Sequence, residues 1–330
     1  QLPLGTWLDR HGPKKVILAF LGVAVVGCGA FALATSFSGL LAARVLCGVG
    51  VSACLMAPLT GFRRWLAPAA QLRANSWMLM TGSFGMVAST LPVQWLVPLV
   101  GWRPLFWGLA AAIVLAMALI AVRVPGWTSM APASGSSPGA DASYAQVWRN
   151  AYFRRMTPIG FFSYGGLIAM QTLWAVPWMI KVAGYSGEQA AKGLFWINVA
   201  MLCTFWTWGM VNPWLVRRGF SAERLITWGL PSSFVLLAIV IAAGDDLSTL
   251  ATPAFALYCM SCSFVSLAQP AVGMAFPQAL AGRALSAYNL VIFAGVFVVQ
   301  WGIGLLIDGF KALGVAEVAA YQAAAGVFLA

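Results

Sequence analysis

Apolar residues in this chain run in long stretches rather than in alternation with polar ones. Val16 to Thr35, Pro104 to Val122, and Phe234 to Ala243 with its flanks are examples. About 20 helical residues at 1.5 Å rise cross a ~30 Å hydrocarbon core, so such runs predict membrane helices. Nine complete spans are expected, at about 15–35, 38–60, 75–97, 103–123, 157–181, 191–215, 224–243, 251–277 and 285–307. A helix end precedes Asp9, and a partial span begins near Val315. Starting at Gln1 without Met or a signal peptide and stopping at Ala330 inside an apolar run, the chain is expected to be a piece cut at both ends. The longest connection is about 124–156. Its middle, Ser129 to Ser143, is rich in Ala, Ser, Gly and Pro and predicts a flexible linker. Tyr144, Val147, Trp148, Ala151 and Tyr152 then recur at helical spacing beside Arg149, Arg154 and Arg155, which predicts a short amphipathic helix at the membrane interface.

Composition agrees with that pattern. Of 330 residues, 61% are hydrophobic and 8% are charged, against about 25% charged in a soluble domain. The net charge of +11 reads as topology, not as nucleic-acid binding. Taking alternate connections as one side, that side holds Arg10, Lys14, Lys15, Arg63, Arg64, Arg73, Arg123, Arg149, Arg154, Arg155, Arg217, Arg218, Arg224 and Arg283. The other side holds only Arg103, Lys181, Lys192 and Lys311, and Arg44 sits inside a span. Positive residues mark the cytoplasmic side. Segments 1–15, 61–74, 124–156, 217–224 and 278–284 are therefore expected to be cytoplasmic loops of a multi-pass protein in a bacterial inner membrane.

All six cysteines lie in apolar runs, and Cys259 and Cys262 lack a second pair or a histidine to complete a metal site. The one histidine, His11, is in a loop. No carboxylate pair or metal-ligand cluster is present, so an enzyme is not expected, nor a cofactor.

Polar side chains inside a membrane are costly and face a cavity or each other. They gather on some spans and not others. Gln94 stands in 75–97, Gln171 in 157–181, Asn198 and Asn212 in 191–215, Gln269 in 251–277, and Asn289 and Gln300 in 285–307. At helical spacing Tyr164, Gln171, Trp174 and Trp178 share a face, as do Asn289, Phe293 and Gln300. Each polar span thus presents one stripe, and together the stripes predict a central path. The same amides would alternatively glue helices together. No Asp or Glu falls at mid-membrane depth, so a proton-carrying carboxylate is expected on a segment preceding residue 1. Weak echoes about 210 residues apart suggest two related halves. Leu8-Asp9-Arg10-His11-Gly12 returns as Leu215-Val216-Arg217-Arg218-Gly219. Phe62-x-x-x-Leu66-Ala67 returns as Phe276-x-x-x-Leu280-Ala281.

The first fifteen residues carry the sharpest signal. Gly5-Thr6-Trp7-Leu8-Asp9-Arg10-His11-Gly12-Pro13-Lys14-Lys15 resembles the loop 2–3 signature of the major facilitator superfamily, G-x-L-x-D-R-x-G-R-[KR]-[KR], departing from it around Pro13 and Lys14. Arg44-Val45-Leu46-Cys47-Gly48-Val49-Gly50 resembles that family's R-x-x-Q-G-x-G, with Cys47 for Gln. Gly101-Trp102-Arg103-x-x-Phe106 resembles its helix 5–6 junction. The resemblance implies an all-α integral membrane fold of two pseudo-symmetric six-helix halves, seen here from the end of helix 2 to part of helix 12. It places an N-terminal half at 1–123, a cytoplasmic linker at 124–156 and a C-terminal half at 157–330.

The resemblance also assigns roles. Gly5, Asp9, Arg10, Gly12, Lys14, Lys15, Gly48 and Gly50 become gating positions, with Asp9 latching onto the start of the span near Leu285 or pairing with Arg10 or Arg73. Arg44, Gln94, Tyr164, Gln171, Trp174, Asn198, Gln269, Asn289 and Gln300 become substrate-facing candidates. The expected function is secondary transport of a small polar or anionic organic solute by alternating access, as proton-coupled uptake. Expected partners are the lipid bilayer, the solute and protons, with the protein a monomer. Export of an amphipathic compound is the alternative. The span 75–97 lacks the G-x-x-x-G-P-x-x-G-G pattern of many exporters, which weighs against that alternative. A non-transporting sensor is a third reading.

Overall fold

The computed structural model describes residues 2–126, 144–277 and 280–330. Among them every regular element is helical. The segment expected to be a linker, 129–143, lies outside the described residues, as do 278 and 279 of the expected loop 278–284.

Local chemistry sets the breaks. Helix α1 (Leu2–His11) stops at Gly12, whose φ of 79° suits a residue without Cβ. Pro13 then opens α2 (Pro13–Leu33), where a missing N–H is harmless. Ser36 caps α3 (Phe37–Val51) by accepting from the Gly39 N–H, and α4 (Met56–Trp65) continues the same span. Helix α5 (Pro68–Ala88) meets α6 (Leu91–Val100) at a 44° bend. Pro92 explains the bend: its ring would strike the carbonyl four residues back, at Ala88, where α5 ends. After α7 (Trp102–Arg123) come the short α8 (Tyr144–Arg149) and the long α9 (Ala151–Lys181). Of the face expected for an amphipathic segment, Val147 is fully buried, Tyr144 and Tyr152 are half-buried, and Trp148 and Ala151 are exposed.

Helix α9 contains two π-helical turns, Ile159–Tyr164 and Met170–Trp174. Ser186 and Gln189 form a reciprocal capping box at the start of α10 (Gly187–Arg217). Helix α11 (Ala222–Ala243) and α12 (Ala251–Cys262) belong to one helical stretch of 53 residues, about twice a bilayer crossing. Gly244 and Ser248, both at positive φ, turn the chain between them. Helices α13 (Ala268–Met274), α14 (Ala281–Ala312) and α15 (Glu317–Leu329) complete the chain. Among the described residues seven helical stretches are long and apolar enough to cross a membrane, or eight with α5 and α6 taken as one. Dividing the 53-residue stretch at Gly244 yields the nine crossings read from the sequence.

The chain forms two compact units. The first comprises Gln1–Ala67, Gln94–Asn150 and Val272–Asn289. In it α2 packs on α3 and α7. Small residues set the spacing: a Cβ on Gly50 would overlap the Ala24 backbone, and one on Gly27 would lie 2.6 Å from the Cys47 nitrogen. The Cys28 and Cys47 sulfurs are 3.9 Å apart across this seam. The second unit comprises Pro68–Val93, Ala151–Ala271 and Leu290–Ala330. There α10 packs on α5 and α12, and α11 on α12 and α15. A Cβ on Gly165 would lie 2.8 Å from the Gly295 carbonyl carbon, so α9 and α14 meet nearly backbone to backbone. Outward faces stay apolar, with Leu99 at 80% and Val122 at 79% exposure, which suits lipid and not water.

Candidate functional site

Two groups of polar residues stand out, one in each unit. In the first, Gly5 brings α1 against the start of α14. A Cβ at Gly5 would sit 2.8 Å from the Ser286 Cβ and 2.9 Å from the Gly282 oxygen. This approach delivers Asp9 to the N-terminus of α14, where free N–H groups and the helix dipole favour an anion. The Gly282 N–H donates to Asp9 Oδ1 at 3.0 Å. Arg283 lies 3.7 Å from Oδ2, close enough to pair but beyond hydrogen-bonding reach. Burial raises the Asp9 carboxyl from the usual 3.8 to about 7, outweighing the Arg283 charge and the backbone donors, which lower it. The Tyr144 hydroxyl hydrogen-bonds Ser286 and Thr6 beside this contact.

The partner of Asp9 within its unit is therefore Arg283, and not Arg10, which is exposed. Sequence reading placed Arg283 only as a topological charge and Tyr144 only on an interfacial helix, and did not single out Gly282. Of the remaining motif residues, Gly12 is buried at its turn, Lys15 is exposed, and half-buried Lys14 donates to the Val124 carbonyl at 2.7 Å. Gly50 is in backbone contact with Ala24, whereas a Cβ on Gly48 would meet open space. Arg44 is exposed and has no ion pair or hydrogen bond among the described residues.

In the second unit, Gln171 Nε2 donates to Asn198 Oδ1 at 2.8 Å, and both side chains are buried. Gln300 Nε2 donates to Thr172 Oγ1 at 3.1 Å, and Trp174 Nε1 donates to the Gln300 carbonyl at 3.2 Å. Gln171, Thr172 and Trp174 all lie in the second π-helical turn of α9, so this turn gathers amide, hydroxyl and indole groups against α10 and α14. π-turns inside α-helices recur at functional sites. Of the four residues expected to share a face, Tyr164, Gln171 and Trp178 are buried and Trp174 is half-buried. Tyr164 is buried in the first π-turn and makes no hydrogen bond among the described residues. Asn289, Phe293 and Gln300, also expected to share a face, differ in burial along the unbroken α14. Asn289 is buried, Phe293 is half exposed and Gln300 is intermediate. Gln269 is buried, and Gln94 is exposed.

A second polar seam was not anticipated. Asn212 donates to Ser76 Oγ at 2.9 Å, Asn75 reaches the Ser266 carbonyl at 3.5 Å, and Trp208 donates to Ser263 Oγ at 2.9 Å. Serines carry little weight in a sequence scan because they satisfy themselves on their own helix, as Ser76 does with the Leu72 carbonyl. Trp178 Nε1 is buried with no hydrogen-bond partner among the described residues, an orphaned donor that costs about 1–3 kcal/mol. The same unit holds a mostly apolar cavity of about 450 Å³, edged by the hydroxyls of Ser163, Ser233 and Tyr258. Among the described residues no cluster of three metal-ligating side chains occurs.

Solved structures share this architecture. The fucose:proton symporter FucP of E. coli superposes with a TM-score of 0.73 at 17% identity, covering 99% of this chain and 86% of that one. A second FucP structure, in the outward conformation, gives 0.74 at 16%, covering 99% and 85%. The proton:xylose symporter XylE bound to 6-bromo-6-deoxy-D-glucose gives 0.74 at 12%, covering 99% and 80%. At these identities the likeness is one of fold. No curated protein sequence matches the chain significantly. The sequence profile of the Major Facilitator Superfamily matches residues 1–299, nearly the whole of the chain. The protein is therefore a multi-pass membrane transporter and not an enzyme, and it belongs to the Major Facilitator Superfamily.

Proposed function

We propose that the protein takes up a small polar or anionic organic solute, coupled to protons, by alternating access in a bacterial inner membrane. The halves that alternate would be 1–123 and 157–330, joined by 124–156. The observation that carries this reading is the second π-turn of α9, where Gln171 is hydrogen-bonded to Asn198, and Thr172 and Trp174 to Gln300. These are uncharged donors and acceptors, the groups that exchange hydrogen bonds with hydroxyls or carboxylates of a solute. The Asp9 contact with Gly282 and Arg283 would serve as a latch for one state of the cycle. The neighbours of like fold are named as proton symporters of fucose and xylose, which supports proton coupling as the form to test first.

The test is a thermal-shift panel on the purified full chain with sugars, carboxylates and lipophilic cations, on wild type, Gln171→Ala and Arg44→Gln. A ligand that binds the native state raises the midpoint by mass action. A sugar or carboxylate that stabilises wild type but not Gln171→Ala supports the proposal, and loss in Arg44→Gln as well points to an anion. Uptake of that compound into vesicles should then follow an inward proton gradient.

The 450 Å³ apolar cavity with Ser163, Ser233 and Tyr258 at its edge favours a second reading, export of an amphipathic compound. Stabilisation by lipophilic cations alone, lost in Ser233→Leu and kept in Gln171→Ala, would put this reading first.

A further inference from the structure

A groove of about 370 Å³ opens in the first unit, between the start of α2, α4 and the end of α7. Its walls include Ile17, Phe62, Trp65 and Ile120, and Lys14 and Arg123 stand at its edge. Arg123 is exposed and makes no hydrogen bond or ion pair among the described residues. Lys14 spends one N–H on the Val124 carbonyl and keeps two donors. Among the described residues no acidic side chain lines the groove. The nearest carboxylate in sequence, Asp9, faces Gly282 and Arg283. Among the described residues the edge is thus two cations without a counter-anion above an apolar trough.

Depth identifies the occupant. Arg123 is the last residue of α7, a 22-residue apolar helix that buries only Ala110. At 1.5 Å per residue such a helix spans about 33 Å, so its end lies at the boundary between hydrocarbon and headgroups. An anion with an apolar tail satisfies both parts of the site. We infer that this groove binds an anionic phospholipid, with the headgroup phosphate between Lys14 and Arg123 and an acyl chain against Ile17, Phe62, Trp65 and Ile120. A zwitterionic lipid carries its own cation and gains less from the pair. Free phosphate leaves the trough empty.

The experiment uses the purified full chain in neutral detergent, titrated with phosphatidylglycerol, phosphatidylcholine or inorganic phosphate. Thermal midpoint and bound lipid by native mass spectrometry are read together. Phosphatidylglycerol should raise the midpoint and be retained, while the other two at equal concentration should not. Arg123→Gln should raise the half-saturating lipid concentration about fivefold, the factor given by about 1 kcal/mol per basic residue near the surface. Arg217→Gln, which removes an exposed basic residue of the other unit, should leave that concentration unchanged. Ile17→Trp fills the trough without touching charge and should abolish retention. Equal response to phosphatidylcholine, a response to phosphate alone, or the same shift in Arg123→Gln as in Arg217→Gln would each overturn the inference. So would indifference to every lipid, which would leave the groove to another segment of the chain.

Discussion

Replacing Asp9 by Asn isolates the electrostatics of its contact with α14. Asn keeps the size and an oxygen to accept from Gly282, but it cannot ionise. In the wild type the carboxyl sits at about 7 in the folded chain against 3.8 when exposed. The sign follows from that order: the folded state binds the proton more tightly than the unfolded one. The stability Asp9 contributes is complete below about pH 3.8 and is lost as pH rises through about 7. At ~1.4 kcal/mol per pH unit the full gap corresponds to about 4 kcal/mol, and relaxation around the buried charge lowers the expected effect to about 1–3 kcal/mol. The assay is the unfolding midpoint of the full chain and of Asp9→Asn from pH 4 to pH 9 in one detergent. The two should nearly coincide at pH 4. The variant should then gain on the wild type by several degrees up to pH 8 and no further. Parallel curves across the range would refute the argument, and a variant that loses ground as pH rises would show that Arg283 outweighs burial.

Gly50→Ala should destabilise by about 2–4 kcal/mol, because its Cβ has no space at Ala24, while Gly48→Ala should be neutral or slightly stabilising; midpoints of the two variants make the comparison. A double-mutant cycle on Gln171→Leu and Asn198→Leu should give a coupling of about 1–2 kcal/mol, each single change leaving a buried amide orphaned that the double change does not. Independent effects would mean that the two amides are not paired. Ser186→Ala should cost about 1 kcal/mol through loss of the capping box on α10, read as a lower midpoint with ligand response unchanged.

The spans were legible because a bilayer leaves a chain few options: apolar length and basic loops settle them. Asp9 was legible as an anion at a helix end. Its partner was not, because Arg283 is 274 residues further along and meets it only where Gly5 and Gly282 lack side chains. The amides were visible singly, but their pairing depends on turns that a 3.6-residue count does not contain. The i→i+5 turns at Ile159–Tyr164 and Met170–Trp174 are wider than that count provides for, and no residue type announces them. Ser76, Ser263 and Ser266 escaped notice because a serine looks the same whether it caps its own helix or bridges to another.

The Cys28 and Cys47 sulfurs, 3.9 Å apart across the seam of α2 and α3, give the protein a clock that needs no engineering. Cys28 is buried, so a maleimide reaches it only when the two helices part, whereas in the chain unfolded by detergent the same thiol reacts at the rate of the free reagent. The ratio of the folded to the unfolded labelling rate, followed by mass spectrometry, measures how often that seam opens. Adding a transported solute to the same tube would then reveal whether transport works this seam or leaves it shut.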